Sequence, residues 1–401
     1  MTLITFEEAY QKVLAHSQEY GTETVQLANA TGRILAEDIV ADRDFPPFDR
    51  STKDGIAITF EAIKNGRTKF KVQGIIAAGT PKSKLDNTNN CVEIMTGAVV
   101  PENADTVVMY EHITIENGKV TLHKTPILGQ NIHYKGGDEK QGAIVLKKNT
   151  TITAAEIGVL ASVGKAEILV KKLPKITLIS TGNELVEVHE TPLPHQIRKS
   201  NMHTLSASLS TIGITPNRLH LKDDEQEIHK ALKKALQEND VLLLSGGVSK
   251  GKYDFIPAAL ISLGVEKVFH RVLQRPGKPF WFGVQKELGT VVFSFPGNPA
   301  STFANYHIYF NSWFNKTLGL PIPKIEVVLK TPIEVKGDLT RFLRANVQLE
   351  NGKLIAELIT GNGSGDLTSL VKSNGFIKLS PKNGIYKEGA LVPFVATRSI
   401  L

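Results

Sequence analysis

Ile176-Thr177-Leu178-Ile179-Ser180-Thr181-Gly182-Asn183-Glu184 begins as a β-branched run and breaks into a turn of small and polar residues. A short apolar run closed by a turn signal reads as a buried strand. The same design recurs twice downstream. A strand at 240–244 runs into Ser245-Gly246-Gly247-Val248-Ser249, and one at 290–295 runs into Pro296-Gly297-Asn298-Pro299. Spacing of apolar residues predicts helices over 202–212, 223–238, 256–263 and 300–314, with further strands at 218–221 and 267–272. Asp223, Asp224, Glu225 and Glu227 open the second of these helices, where the positive end of the helix dipole favours acids. Strands alternating with helices specify a parallel α/β sheet, here within residues 173–320.

Outward from this segment the pattern changes. Thr5-Phe6-Glu7-Glu8 reads as a capping box, and Phe6, Ala9, Tyr10, Val13 and Leu14 follow at helical spacing. A second helix, 153–163, starts at Thr153. Between the two helices, segments at 71–75, 92–95, 106–109, 112–115 and 119–122 alternate and are separated by Gly, Asn and Pro, an all-β pattern. Pro321-Ile322-Pro323 reads as a linker, and 324–401 as a small β-rich domain.

Composition narrows the function classes. With 401 residues, 41% hydrophobic and 22% charged, the chain is an ordinary globular protein of several domains. No apolar run approaches the roughly 20 residues of a membrane helix, and the N-terminus has no signal-peptide pattern. A single cysteine, Cys91, excludes an internal disulfide and a cysteine metal cluster; it is expected in the core, and the protein in the cytoplasm. The net charge of +7 is spread without basic runs, so an anionic small molecule is expected rather than nucleic acid.

The chemistry concentrates in loops. In open α/β sheets ligands bind beyond the carboxyl ends of strands, where glycines let backbone amides approach an anion. One glycine-containing strand end is usually only a turn; three in one domain point to a site. Gly246 to Lys252 spells the first part of a phosphate-binding P-loop, but Tyr253 stands where Ser or Thr must hold magnesium, so that reading is rejected. Arg275-Pro276-Gly277-Lys278-Pro279 fixes two cations on a rigid turn suited to an oxyanion. Asp54, Asp138, Glu184, Asp240 and Asp254 sit in or beside glycine-containing turns. Each alone is more often a turn former; with the anion loops they are expected to hold Mg²⁺ through one or two carboxylates. The histidines show no zinc spacing, and no nucleophile elbow is present.

These motifs, with Pro46-Pro47-Phe48-Asp49-Arg50-Ser51-Thr52-Lys53-Asp54-Gly55 and Ile94-Met95-Thr96-Gly97-Ala98-Val99-Val100-Pro101, resemble the MoeA/gephyrin E-domain family over about the whole chain. The resemblance implies a magnesium-dependent molybdopterin molybdenumtransferase. Such an enzyme inserts molybdenum from molybdate into adenylylated molybdopterin and releases AMP. It also implies a homodimer, possible contact with a MogA-type adenylyltransferase, and a multidomain α/β plus β fold. The domains implied are a discontinuous helical and extended N-terminal one (1–45 plus 147–172), an inserted β-rich one (46–146), a MogA-like parallel α/β one (173–320) and a β-barrel-like one (324–401). Each active site would lie between the α/β domain of one subunit and the β insert of the other.

Carried over residue by residue, the resemblance implies catalytic roles for Asp54, Asp138, Glu184, Asp254 and Lys278, with Glu184 and Asp254 as metal ligands. It implies substrate contacts from Thr96, Gly97, Thr181, Gly182, Ser245, Gly246, Gly247, Ser249, Arg275, Pro296, Gly297, Asn298, Pro299, Arg344 and Ser369. The Ser-Gly-Gly amides would hold the pterin's phosphate. Lys53, Ile56, Asn183 and Arg275 depart from the usual pattern, and Lys53 is expected either to lower the pKa of Asp54 or to occupy its ligand site. The departures motivate one alternative, a catalytically impaired cofactor-binding or scaffold protein on the same fold. A second, an adenylyltransferase or nucleotide pyrophosphatase, is opposed by the two N-terminal motifs.

Overall fold

The computed structural model describes residues 3–248 and 255–400 and divides the chain into two compact units. One comprises residues 1–23 and 171–401, the other 24–170.

In the inserted unit, β1 (Gly55–Ile58), β2 (Lys69–Ile76), β3 (Asn90–Ile94), β4 (Thr106–Met109), β5 (Ile113–Glu116) and β6 (Lys119–Leu122) form one mixed sheet, order β4-β1-β3-β2-β6-β5. Side chains alternate across a strand. Ile56 and Ile58 therefore face one core with Phe70, Cys91 and Val120, while Ala57 faces another with Val92, Ile94 and Val107. Cys91 lies buried, as expected, and burial pushes its thiol up to about 12. A third core gathers Leu35, Ile39, Ile152, Leu160 and Ile168 around α2 (Ala154–Ser162), whose capping box joins Thr153 and Glu156.

In the other unit, β7 (Ile176–Thr181), α3 (Ser200–Ser210), β8 (Asn217–Leu221), α4 (Glu225–Glu238), β9 (Val241–Ser245), α5 (Phe255–Ser262), β10 (Glu266–His270), β11 (Trp281–Gln285) and β12 (Thr290–Phe295) build a sheet of order β8-β7-β9-β12-β11-β10. The first four are parallel, as expected; β11 and β10 extend the sheet antiparallel. Helix α6 (Pro299–Asn305) passes through a π turn at Tyr306–Phe310 into α7 (Asn311–Thr317), where the sequence suggested one continuous helix. Beyond it, β13 (Ile325–Leu329), β14 (Thr340–Glu350), β15 (Lys353–Leu358), β16 (Gly375–Leu379) and β17 (Leu391–Ala396) pair in the order β14-β15-β13-β17-β16, and β16 returns to β14. The five strands thus close a barrel.

The first helix (Phe6–Ala15, with its predicted capping box) packs in this same unit. The Phe6 ring packs tilted 5.8 Å from Tyr309 and edge-on 5.1 Å from Phe342, and Trp313 Nε1 donates to His16 O at 2.9 Å. Burying each such aromatic is worth about 1.5–3 kcal/mol. Residues 1–23 group with the α/β sheet and barrel and α2 with the other unit, where the sequence reading groups 1–45 with 147–172.

Candidate functional site

Strand register assembles the site. Ser180 pairs with Ser245, and Ser245 with Phe295, so three parallel strands end at one level and their loops start side by side. The chain leaves β7 for β8 on one side and returns to β9 on the other, which makes the β7/β9 edge a topological switch point. A cleft of about 440 Å³ opens there. Thr181, Gly182, Glu184, Ser245, Gly246, Gly247, Pro296, Gly297, Asn298 and Pro299 all line it.

Two of the glycines are there because side chains do not fit. Gly246 has φ +101°, and a Cβ on it would sit 2.9 Å from Thr181 Oγ1; a Cβ on Gly182, φ +128°, would strike the Glu184 carboxylate. The Gly246 N–H donates to Phe295 O at 3.1 Å, so this amide belongs to the fold and is not available to hold phosphate.

Several lining residues escaped the sequence reading. Asn201, at the start of α3, donates to Ser245 Oγ at 2.8 Å and to Gly297 O at 2.7 Å, tying two loops together. An Asn near a helix start is an ordinary capping signal, so spacing gave no warning. Asp223 also lines the cleft, aligned by a reciprocal clip: Asn183 N–H donates to Asp223 Oδ2 at 3.3 Å and Asp223 N–H to Asn183 Oδ1 at 3.2 Å. Lys199, nearly buried, pairs with Glu187 at 2.6 Å.

A second cleft of about 580 Å³ shares Pro279, Pro296 and Asn298 with the first and runs between the α/β loops and the barrel. Arg275, Lys278 and Arg344 line it, joined by Arg341, and among the described residues no acidic side chain lines it. Arg344 Nη1 lies 3.9 Å from Asp366 Oδ2, and Arg344 Nη2 donates to Gly363 O at 2.6 Å. Ser364 lines this cleft. Its Oγ accepts from Asn298 Nδ2 at 2.9 Å and its carbonyl from Ala300 N–H at 3.0 Å, which docks the barrel loop onto the Pro-Gly-Asn-Pro turn. Ser369 is buried with its hydroxyl donating to Asp366 O at 3.1 Å, and it lines neither cleft.

The remaining candidates separate. Asp54, Asp138, Thr96 and Gly97 are in the inserted unit. Asp54 Oδ1 accepts the Thr96 N–H at 2.6 Å, and that hydrogen bond, not Lys53, holds its carboxyl below the usual range. Gly97 N–H donates to Ser51 O at 2.8 Å, which fastens the same turn. Asp138 Oδ1 meets His133 Nε2 at 2.9 Å, and the other nitrogen of that ring lies 3.2 Å from Arg50 Nη2. Asp240 is a turn former only, its carboxylate accepting Lys175 N–H at 2.7 Å. Ser249 and Asp254 fall outside the described residues. Among the described residues no cluster of three or more His, Cys, Asp or Glu forms a ready-made metal site. Glu184 and Asp223 in the first cleft do suit a magnesium ion, which takes one or two carboxylates and completes its shell with phosphate and water.

Comparison with known proteins agrees with this geometry. Residues 4–164 match the MoeA N-terminal region (domain I and II), 177–314 a probable molybdopterin binding domain, and 326–396 the MoeA C-terminal region (domain IV). The chain belongs to the MoeA family. A Synechocystis relative named molybdopterin molybdenumtransferase is 37% identical over 98% of this chain and 100% of its own. One from Bacillus subtilis with the same name is 34% identical over 99% and 95%. The crystal structure of a molybdopterin biosynthesis MoeA protein from Pyrococcus horikoshii superposes with a TM-score of 0.83 at 29% identity, covering 99% of this chain and 100% of that one.

Proposed function

We propose that this chain acts in molybdenum cofactor biosynthesis as a molybdopterin molybdenumtransferase, inserting molybdenum from molybdate into adenylylated molybdopterin with release of AMP. The observation that carries the reading is the pair of confluent clefts. Among the described residues, one is lined by glycine loops and two carboxylates, the other by four cations and no acid. A substrate with a phosphoanhydride and a separate tetrahedral oxyanion needs both environments. The names of the full-length relatives support the same reading.

In the first cleft the loops orient the pterin phosphate and the adenylyl group, with Asn201 keeping the Ser245 and Gly297 walls in register. Glu184 and Asp223 would hold Mg²⁺, which supplies charge neutralisation and a polarised water for phosphoanhydride cleavage when bound. In the second cleft Arg275, Lys278 and Arg344 hold the oxyanion in place. We assign Asp54 and Asp138 to the same reaction as carboxylates contributed by the inserted unit, in a homodimer that receives its substrate from a MogA-type adenylyltransferase.

The scaffold and pyrophosphatase alternatives are not favoured, because Asp54, Asp138 and Glu184 are retained and all three family regions are matched along the chain. Anaerobic AMP release from adenylylated molybdopterin tests the proposal. Molybdate-dependent release by the wild type, lost in Glu184→Gln, is expected. Tight substrate binding without AMP release at saturating magnesium and molybdate would instead establish a binding protein.

A further inference from the structure

Arg275 and Arg341 occupy paired positions on neighbouring parallel strands, in the register Gln274 with Thr340 and Arg275 with Arg341. Side chains at paired positions project from the same face, and like charges there repel. Both residues line the second cleft, which has no acid among its described lining residues. The Arg341 guanidinium is only partly used: Nη2 donates to Lys336 O at 2.9 Å, while Nε is buried and has no hydrogen-bond partner among the described residues. Arg344, by contrast, already has Asp366 and Gly363 O. A dry N–H and two adjacent cations both cost stability unless an anion arrives to satisfy them.

Resting on the oxyanion reading of this cleft, we propose that Arg341 is a further substrate-binding residue, which with Arg275 makes the cleft select tetrahedral dianions over monoanions. In this proposal both guanidinium groups donate to one tetrahedral ion. With Arg344 paired to Asp366, three cations (Arg275, Lys278 and Arg341) face that ion, so a dianion offsets two of the charges and a monoanion only one.

The test compares molybdate with perchlorate, a tetrahedral monoanion, binding to the wild type, Arg341→Gln and Arg341→Lys. Calorimetric titration at constant ionic strength gives affinity, and thermal melts of the unliganded proteins give stability. Arg341→Gln is expected to weaken molybdate about tenfold or more, to change perchlorate much less, and to leave the unliganded melting temperature equal or higher because the repulsion is relieved. Arg341→Lys is expected to fall between. Unchanged molybdate affinity in Arg341→Gln, while Arg275→Gln weakens it, overturns the role of Arg341 and leaves the oxyanion cleft standing. A lowered unliganded melting temperature with proportional loss of both anions overturns it too, as the mark of a structural residue. Failure of the wild type to bind any tetrahedral anion would remove the cleft's oxyanion reading itself.

Discussion

Asp366 shows how one carboxylate can order a substrate-facing loop without entering the cleft. Its oxygens accept Asn362 N–H at 3.0 Å, Thr368 Oγ1 at 2.9 Å and Ser369 N–H at 3.1 Å, and these hydrogen bonds hold its pKa far below the ordinary carboxylate range. Because the folded value is depressed, the stabilisation is complete above the unfolded pKa near 4 and is lost as pH falls through the folded value. Asp366→Asn is therefore expected to melt below wild type at pH 7, with the gap narrowing as pH drops under about 4. Thermal melts across pH 7 to 3 check this, and a gap that stays constant would mean the charge is not the stabilising element. Asn201 makes a second residue-scale case. Removing its part-buried amide in Asn201→Ala leaves Ser245 Oγ and Gly297 O short of a donor and should cost about 1–3 kcal/mol by urea unfolding. Such residues were poorly legible in the sequence, since a helix-start Asn or a loop Asp has a bland reading that is usually right. A serine can likewise be matched to a motif, but which of two nearby serines, 364 or 369, lines a cleft depends on the turn between them.

Elements fared better where periodicity carries the information. The three Gly-containing loops, the parallel strands before them and the helices at α3 and α4 follow from apolar runs and turn chemistry, and register then does the assembly. Strand β11 escaped because Trp281–Gln285 is buried on both faces and shows no alternation, right after a Pro-rich turn. The first helix is legible, but its stripe shows which face is buried and cannot name the partners, which include Tyr309 and Phe342. Barrel closure is another relation between elements that no single segment displays. It makes a specific demand at Gly375, where a Cβ would collide with the Phe394 ring and the Val395 carbonyl of β17. Gly375→Ala is expected to destabilise by about 1–3 kcal/mol through overpacking, whereas Gly384→Ala, which meets nothing within 4 Å, should be close to neutral. Chemical denaturation of the two variants against wild type decides it; equal effects would mean the barrel relaxes around the added methyl.

For the whole molecule, the division into residues 24–170 and the remainder has thermodynamic consequences. Each unit buries its own cores: Ile58 and Phe70 in one, Leu242 and Val292 in the other. Both clefts are lined by residues of the second unit alone. A ligand that binds only folded protein stabilises by mass action, by about 2.7 kcal/mol at a hundredfold excess over its dissociation constant. If the oxyanion is held where the unpaired cations lie, that stabilisation belongs to the cleft-bearing unit. Scanning calorimetry should then resolve two transitions, with molybdate raising only one of them. Ile58→Ala, a deletion in a fully buried position of the inserted unit, should cost about 2–5 kcal/mol and lower the other transition while molybdate affinity stays at the wild-type value. A single transition moved equally by the anion and by the substitution would show that the units fold as one, and would place the inserted sheet in the energetics of oxyanion binding.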